Sequence, residues 1–296
     1  MMLQHFGLRE APFGLTPDTS FAFASRSHRE AFDTVMVALD GGDGFIKVTG
    51  EVGTGKTFLC RRLLGALDGR YLSLFLPNPC IHRRGLIISL CLEMGLDIEF
   101  KTPQAQLLPV LTEALLAKAK EGHTVVACLD EAQAMPDEAL EALRLLTNIE
   151  TEKHRLLRVV MFGQPELDTK LAQPHMRQLA QRISFHYELT ALTRDETLAY
   201  LNHRMHTAGA EGATVFGAQE ARMLHDISGG TPRLLNVLAH KTLLLAYGSG
   251  ETRVSLAHIR AAADDTPAAQ ARGLMAGLAA QWQRMKAPLN VRWGES

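Results

Sequence analysis

The stretch IKVTGEVGTGKTFLC, residues 46–60, decides how the rest of the chain is read. Six β-prone or small residues run into a glycine-rich loop that ends in a Lys-Thr pair. Gly50, Gly55, Lys56 and Thr57 fit the pattern G-x-x-x-x-G-K-[ST]. The physical content is a loop bare of side chains. Its N–H groups, from Glu51, Val52, Gly53, Thr54 and Gly55 to Phe58, can point into one concavity and wrap a polyphosphate. The helix after the loop adds its positive end. The pattern assigns Lys56 to the β and γ phosphates of ATP and Thr57 to a Mg²⁺ ion.

A phosphate loop of this kind needs a carboxylate partner on another strand. VVACLDEAQ (125–133) supplies one: an apolar run ends in Asp130 and Glu131. Strand C-termini are where open α/β sheets place ligands. Asp130 is the expected second holder of Mg²⁺, and Glu131 the expected general base toward water. In VVMFGQPEL (159–167), Gln164 stands at a strand tip, where an amide orients water or touches the γ phosphate.

Around these motifs, short apolar runs alternate with helical patterns. Residues 44–50, 70–76, 124–130 and 156–163 read as parallel strands buried on both faces, and 183–189 as a fifth. The expected fold is α/β, a five-stranded parallel sheet flanked by helices, over residues 1–190. Beyond it, 194–208, 217–227, 232–247 and 254–265 are all helical in pattern, so 191–266 reads as a small all-helical lid. Residues 267–296 read as a tail, with Leu274, Leu278, Trp282 and Met285 spaced for an amphipathic helix that would dock a partner. SHRE (27–30) and TRDE (193–196) match the capping-box template, with Ser27 and Thr193 as caps. Ser255 is the expected cap of the last lid helix.

Three arginines draw attention. Arg177 and Arg182 precede the fifth strand, on the side away from the chain's own phosphate loop. From there an arginine reaches a neighbour's nucleotide, and Arg182 is the preferred finger. Arg233 follows Pro232 at a helix start, in SGGTPRLLN (228–236). A cation there opposes the helix dipole, so an anionic ligand is its expected partner.

Composition narrows the classes. Of 296 residues 46% are hydrophobic, and the formal net charge is −1, which announces neither nucleic acid nor an acidic partner. Cys60, Cys80, Cys91 and Cys128 form no paired motif and read as free thiols in a reducing compartment. No signal peptide or spanning segment is visible, so a cytoplasmic protein is expected, peripheral at most at the inner membrane. His203 and His206 lie three apart with no third ligand in view and read as a solvated face.

Taken together, PFGLTPD (12–18), SRSHREAF (25–32), GEVGTGKT (50–57), LDEAQ (129–133), LRLLTNIET (143–151), GQPEL (163–167), QLAQRI (178–183) and GGTPRLLN (229–236) resemble the AAA+ ATPases of the ExeA/GspA type from bacterial general secretion. Within that type the chain is similar to the shorter member of MSHA pilus biogenesis, MshM. The likeness covers residues 3–266. It implies Mg²⁺-dependent ATP hydrolysis in a homo-oligomer, a hexamer-like ring or an open filament, with pilus or secretion components of the inner membrane as partners. It also implies that residues 12–18 line the adenine pocket and that Asn78 restrains Glu131. Secretion members continue into a membrane helix and a peptidoglycan-binding region. Neither is found here, so a direct cell-wall role is not expected. Two other readings stay open. One is a DNA-associated regulator of the transposition type, with RLLRVV (155–160) and IHRRG (81–85) as basic patches. The other is a nucleotide-switched scaffold acting through the tail.

Overall fold

A computed structural model describes residues 1–14, 19–77, 79, 81–99, 101–150, 155–211 and 214–272. The chain divides into two compact units: Thr16–Ala191, and the described residues of Met1–Leu15 with Leu192–Ser296.

The first unit is built on five parallel strands: β1 (Phe45–Gly50), β2 (Tyr71–Leu76), β3 (Thr124–Leu129), β4 (Leu157–Gly163) and β5 (Ile183–Leu189), in the order β2-β3-β4-β1-β5. Each falls within a residue of its expected span. Register brings the tips together. Thr49 of β1 stands beside Gly163 of β4, and Leu129 of β3 beside Met161.

The strands read as continuous apolar runs because both faces are covered. Along β3, Val125, Ala127 and Leu129 face one core, and Val126 and Cys128 the other. The first core is closed by α4 (Arg83–Glu93), α5 (Gln104–Lys120), α6 (Asp137–Leu146) and α7 (Pro165–Leu171). The second is closed by α2 (Arg26–Gly41) and α3 (Lys56–Ala66). Each fully buried Leu or Val contributes about 1.5–3 kcal/mol of transfer free energy. Edge strand β5 pairs only with β1 and alternates between half-buried and exposed residues until Leu189. The short α8 (Arg177–Ala180) precedes it, and Arg182 lies in the following turn rather than on the helix.

Two expectations are corrected here. Helix α2 is capped by Ser25, whose Oγ accepts the His28 N–H at 3.3 Å, and not by Ser27. Ser27 is instead buried and accepts the Thr190 N–H at 3.0 Å. Glu30 is spent on Arg26 at 2.6 Å and the Tyr187 hydroxyl at 2.8 Å. Of the two arginines in RLLRVV, Arg155 is exposed, but Arg158, the second residue of β4, is 8% exposed and donates to the Leu39 carbonyl, so the stretch presents one cation rather than a basic patch.

The second unit contains α1 (Met2–His5), α9 (Arg194–Thr207), α10 (Ala218–Ser228), α11 (Pro232–Gly248) and α12 (Leu256–Asp264). Thr193 and Glu196 form the expected capping box on α9, and Ser255 caps α12. Residues 1–14, placed from sequence in the α/β domain, group here instead. The Arg9 N–H donates to Ala208 O at 2.7 Å, and Arg204 Nε donates to Pro12 O. Phe13 meets Phe216 edge-on at 5.7 Å, and Asn236 donates to Gly14 O at 3.3 Å. Among the described residues no helix is long and apolar enough to cross a membrane. The expected adenine contacts at 15–18, Asn78, Cys80 and the helix around Trp282 lie outside the described residues.

Candidate active site

The loop between β1 and α3 takes its shape from glycine where no other residue fits. Gly55 has φ +100°, and a Cβ there would stand 2.6 Å from His28 Nε2. A Cβ on Gly50 would meet Leu189 O and Thr54 Oγ1, each at 2.9 Å. Thr54 fastens the loop, its hydroxyl donating to Glu51 O at 2.9 Å. Glu51 and Val52 are exposed at its crest, and Gly53 is half-buried. Phe58, one turn into α3, packs edge-on to the His28 ring at 6.2 Å. The sequence offered no sign of His28 beside the loop, because its neighbours match a cap template shifted by two residues.

Lys56 is buried, and its Nζ donates to Gly50 O at 2.7 Å and Glu51 O at 2.9 Å. Burial lowers its pKa, opposed by the negative charges of Glu131, Asp130, Glu51 and Glu166. The ammonium is thus held inside the loop by weak, replaceable carbonyl acceptors, the disposition needed to meet a polyphosphate.

Asp130 follows β3 and is 3% exposed. Thr57 Oγ1 donates to its Oδ2 at 2.6 Å, and the Glu131 N–H to its Oδ1 at 3.0 Å. Burial raises its pKa, while the bonds from Thr57 and Glu131 pull it down. A hydroxyl and a desolvated carboxylate side by side are hard oxygen donors of the kind Mg²⁺ takes. The residues therefore fit the metal: Thr57 and Asp130 would hold it, and it would neutralise charge on the phosphates.

Glu131 has φ +54°, the one positive φ of a non-glycine among the described residues. Left-handed backbone at a charged residue beside a ligand loop marks a constrained position. Gln164, at the tip of β4 and N-cap of α7, donates from Nε2 to Glu131 Oε2 at 3.0 Å. Gln133 Nε2 donates to the same oxygen. Sequence reading assigned Gln133 no role.

Gly50 to Thr57, Asp130, Glu131 and Gln164 thus converge where the central strands end. Arg182 and Arg177 do not join them. Ile183 aligns with Phe45 at the start of parallel β1, so both arginines sit at the opposite end of the sheet. Arg233 is the second residue of α11 in the helical unit, and is exposed.

Residues 39–171 match the family model described as AAA domain. The chain is 38% identical over 254 residues to general secretion pathway protein A of Aeromonas hydrophila, a match covering 86% of this chain and 46% of that protein. It therefore spans about half the length of that relative. Among solved structures, the ORC2 protein of Aeropyrum pernix in ADPNP-ADP complexes has a TM-score of 0.63 at 18% identity, covering 84% of this chain and 72% of that one. Cdc6p of Pyrobaculum aerophilum has a TM-score of 0.64 at 17% identity, covering 84% and 71%. The chain thus has a P-loop AAA-type fold, with residues 39–171 matching an AAA domain, and is similar through most of its length to general secretion pathway protein A.

Proposed function

We propose that this chain hydrolyses ATP in a homo-oligomer and uses the cycle to assemble or remodel a type II secretion or type IV pilus-like machine at the inner membrane. The observation that carries the catalytic part is the convergence of buried Lys56, the Thr57–Asp130 pair and Glu131 at the C-terminal end of the central strands. The similarity to general secretion pathway protein A supports the output.

In this reading the N–H groups of residues 51–58 cradle the phosphates. Lys56 leaves its two carbonyl acceptors for the β and γ phosphate oxygens. Glu131 takes the proton of the attacking water, and Gln164 orients that water or the γ phosphate. Arg182 completes the site of an adjacent copy. The helical unit, residues 191–266, acts as a lid whose Arg233 responds to the phosphates.

Steady-state ATP turnover tests the assignment. Lys56→Ala is expected to lose nucleotide binding. Glu131→Gln is expected to bind ATP and turn over roughly 10²–10⁴-fold more slowly, the range of general-base catalysis. Wild-type turnover by either variant overturns the site.

A further inference from the structure

Gln133 makes two side-chain bonds in opposite senses. Its Nε2 donates to Glu131 Oε2, and its Oε1 accepts the backbone N–H of Gln164 at 3.0 Å. Since Gln164 Nε2 also donates to Glu131 Oε2, the three residues close a ring that spans the tips of β3 and β4. The backbone beneath Gln133 is pinned as well. Lys170 Nζ donates to Gln133 O at 3.0 Å and to Met135 O at 2.6 Å, and the Ala134 N–H donates to Glu131 O at 2.9 Å. Gly163, where a Cβ would stand 2.7 Å from Leu167 Cδ2, lets α7 close on the tip of β4 beside this ring. Both amides end on one carboxylate oxygen. Among the described residues no hydrogen-bond donor reaches the other, Oε1.

We infer that Gln133 is a positioning residue for hydrolysis: with Gln164 it fixes Glu131 Oε2, and so presents Oε1 to the attacking water. The inference rests on Glu131 being the base. As the water oxygen bonds to the γ phosphorus and the β–γ bridging P–O bond breaks, the water's proton passes to Oε1. Gln133 forms and breaks no covalent bond. Its contribution is to remove the rotamer freedom of a long acidic side chain, because a base acts only within hydrogen-bond reach of its proton.

The test is single-turnover ATP hydrolysis by the full chain carrying Gln133→Met, which keeps the bulk and loses the amide. Gln133→Asn, too short to span both partners, serves as the gentler second variant. Both are expected to lower the hydrolysis rate constant roughly 10- to 100-fold, with affinity for a non-hydrolysable ATP analogue held within about threefold. In the Glu131→Gln background, Gln133→Met is expected to add no further loss, because residues acting as a unit are not additive. A wild-type or faster rate for both variants, or a full multiplicative loss in the double variant, overturns the inference. If Glu131→Gln alone turns over normally, it is the general-base assignment that falls.

Discussion

At the scale of single residues, the site holds charges where water does not reach, and this has a measurable cost. Asp130 is buried, and among the described residues only the Thr57 hydroxyl and one backbone N–H serve its carboxylate. Its folded pKa lies above the ordinary value of 3.8, chiefly through burial. The folded state therefore binds more protons than the unfolded state between 3.8 and the raised value, and stability falls as pH rises through that window. Asp130→Asn removes the charge and keeps both partners: its carbonyl accepts from Glu131 N–H, and its amide donates to Thr57 Oγ1. Without nucleotide it is expected to be more stable than wild type at neutral pH, by about 1 kcal/mol or roughly 2–4 °C. That advantage should vanish below the window, and the variant should lose Mg²⁺-dependent nucleotide stabilisation. Calorimetry from pH 3 to 7.5, with and without Mg²⁺-ATP, checks it; a variant less stable than wild type at pH 7.5 contradicts it. The residue scale is also where motif reading stopped short. Lys56, Thr57, Asp130 and Glu131 are legible because their spacing and strand-end setting are enough. Gln133 is not, because its meaning depends on Gln164, 31 residues away.

At the scale of elements, ends and edges carry the information. Helix α9 begins with a capping box, the Thr193 side chain accepting the Glu196 N–H at 3.2 Å and Glu196 accepting the Thr193 N–H at 3.0 Å. Thr193→Ala is expected to destabilise the helical unit by about 1 kcal/mol. Thr193→Ser should restore most of it in urea unfolding followed by circular dichroism; equal loss in both variants would place the effect outside the cap. The box at 193–196 was readable because its two partners lie three residues apart and satisfy each other locally. At 27–30 the template with Glu30 selected Ser27, whereas the cap is Ser25. The sheet chose between them, since the Thr190 N–H after β5 claims Ser27 and leaves Ser25 to cap α2. Strand β1 shows a similar non-local choice. Lys47 is buried and paired with Asp168 of α7, a contact 121 residues apart that no local pattern announces.

At the scale of the whole molecule, the proposed chemistry needs a second copy. Within one chain Arg182 lies at the sheet end away from Lys56, so it cannot serve its own site without unmaking β5. Arg182→Ala is expected to keep nucleotide affinity and lose turnover by roughly 10³–10⁵-fold, the reach of an arginine finger. Mixing it with Lys56→Ala should restore part of the activity, because one partner keeps an intact phosphate loop and the other an intact finger. Rate measured against mixing ratio decides this; no recovery at any ratio counts against a finger acting between copies.

The amino-acid sequence by itself determined the alternation of strands and helices, the phosphate loop and the acidic strand end. Those signals are local: periodicity, glycine spacing and a carboxylate after an apolar run. Only the tertiary structure decided that residues 1–14 pack with the helical unit, where Arg204 and Asn236 hold the backbone of Pro12 and Gly14. It alone decided that Arg158 is interior and that two glutamines share one oxygen of Glu131. The physical reason is common to all three. A buried polar group must be satisfied, and the partner that satisfies it is chosen by proximity in the folded chain rather than by distance along it.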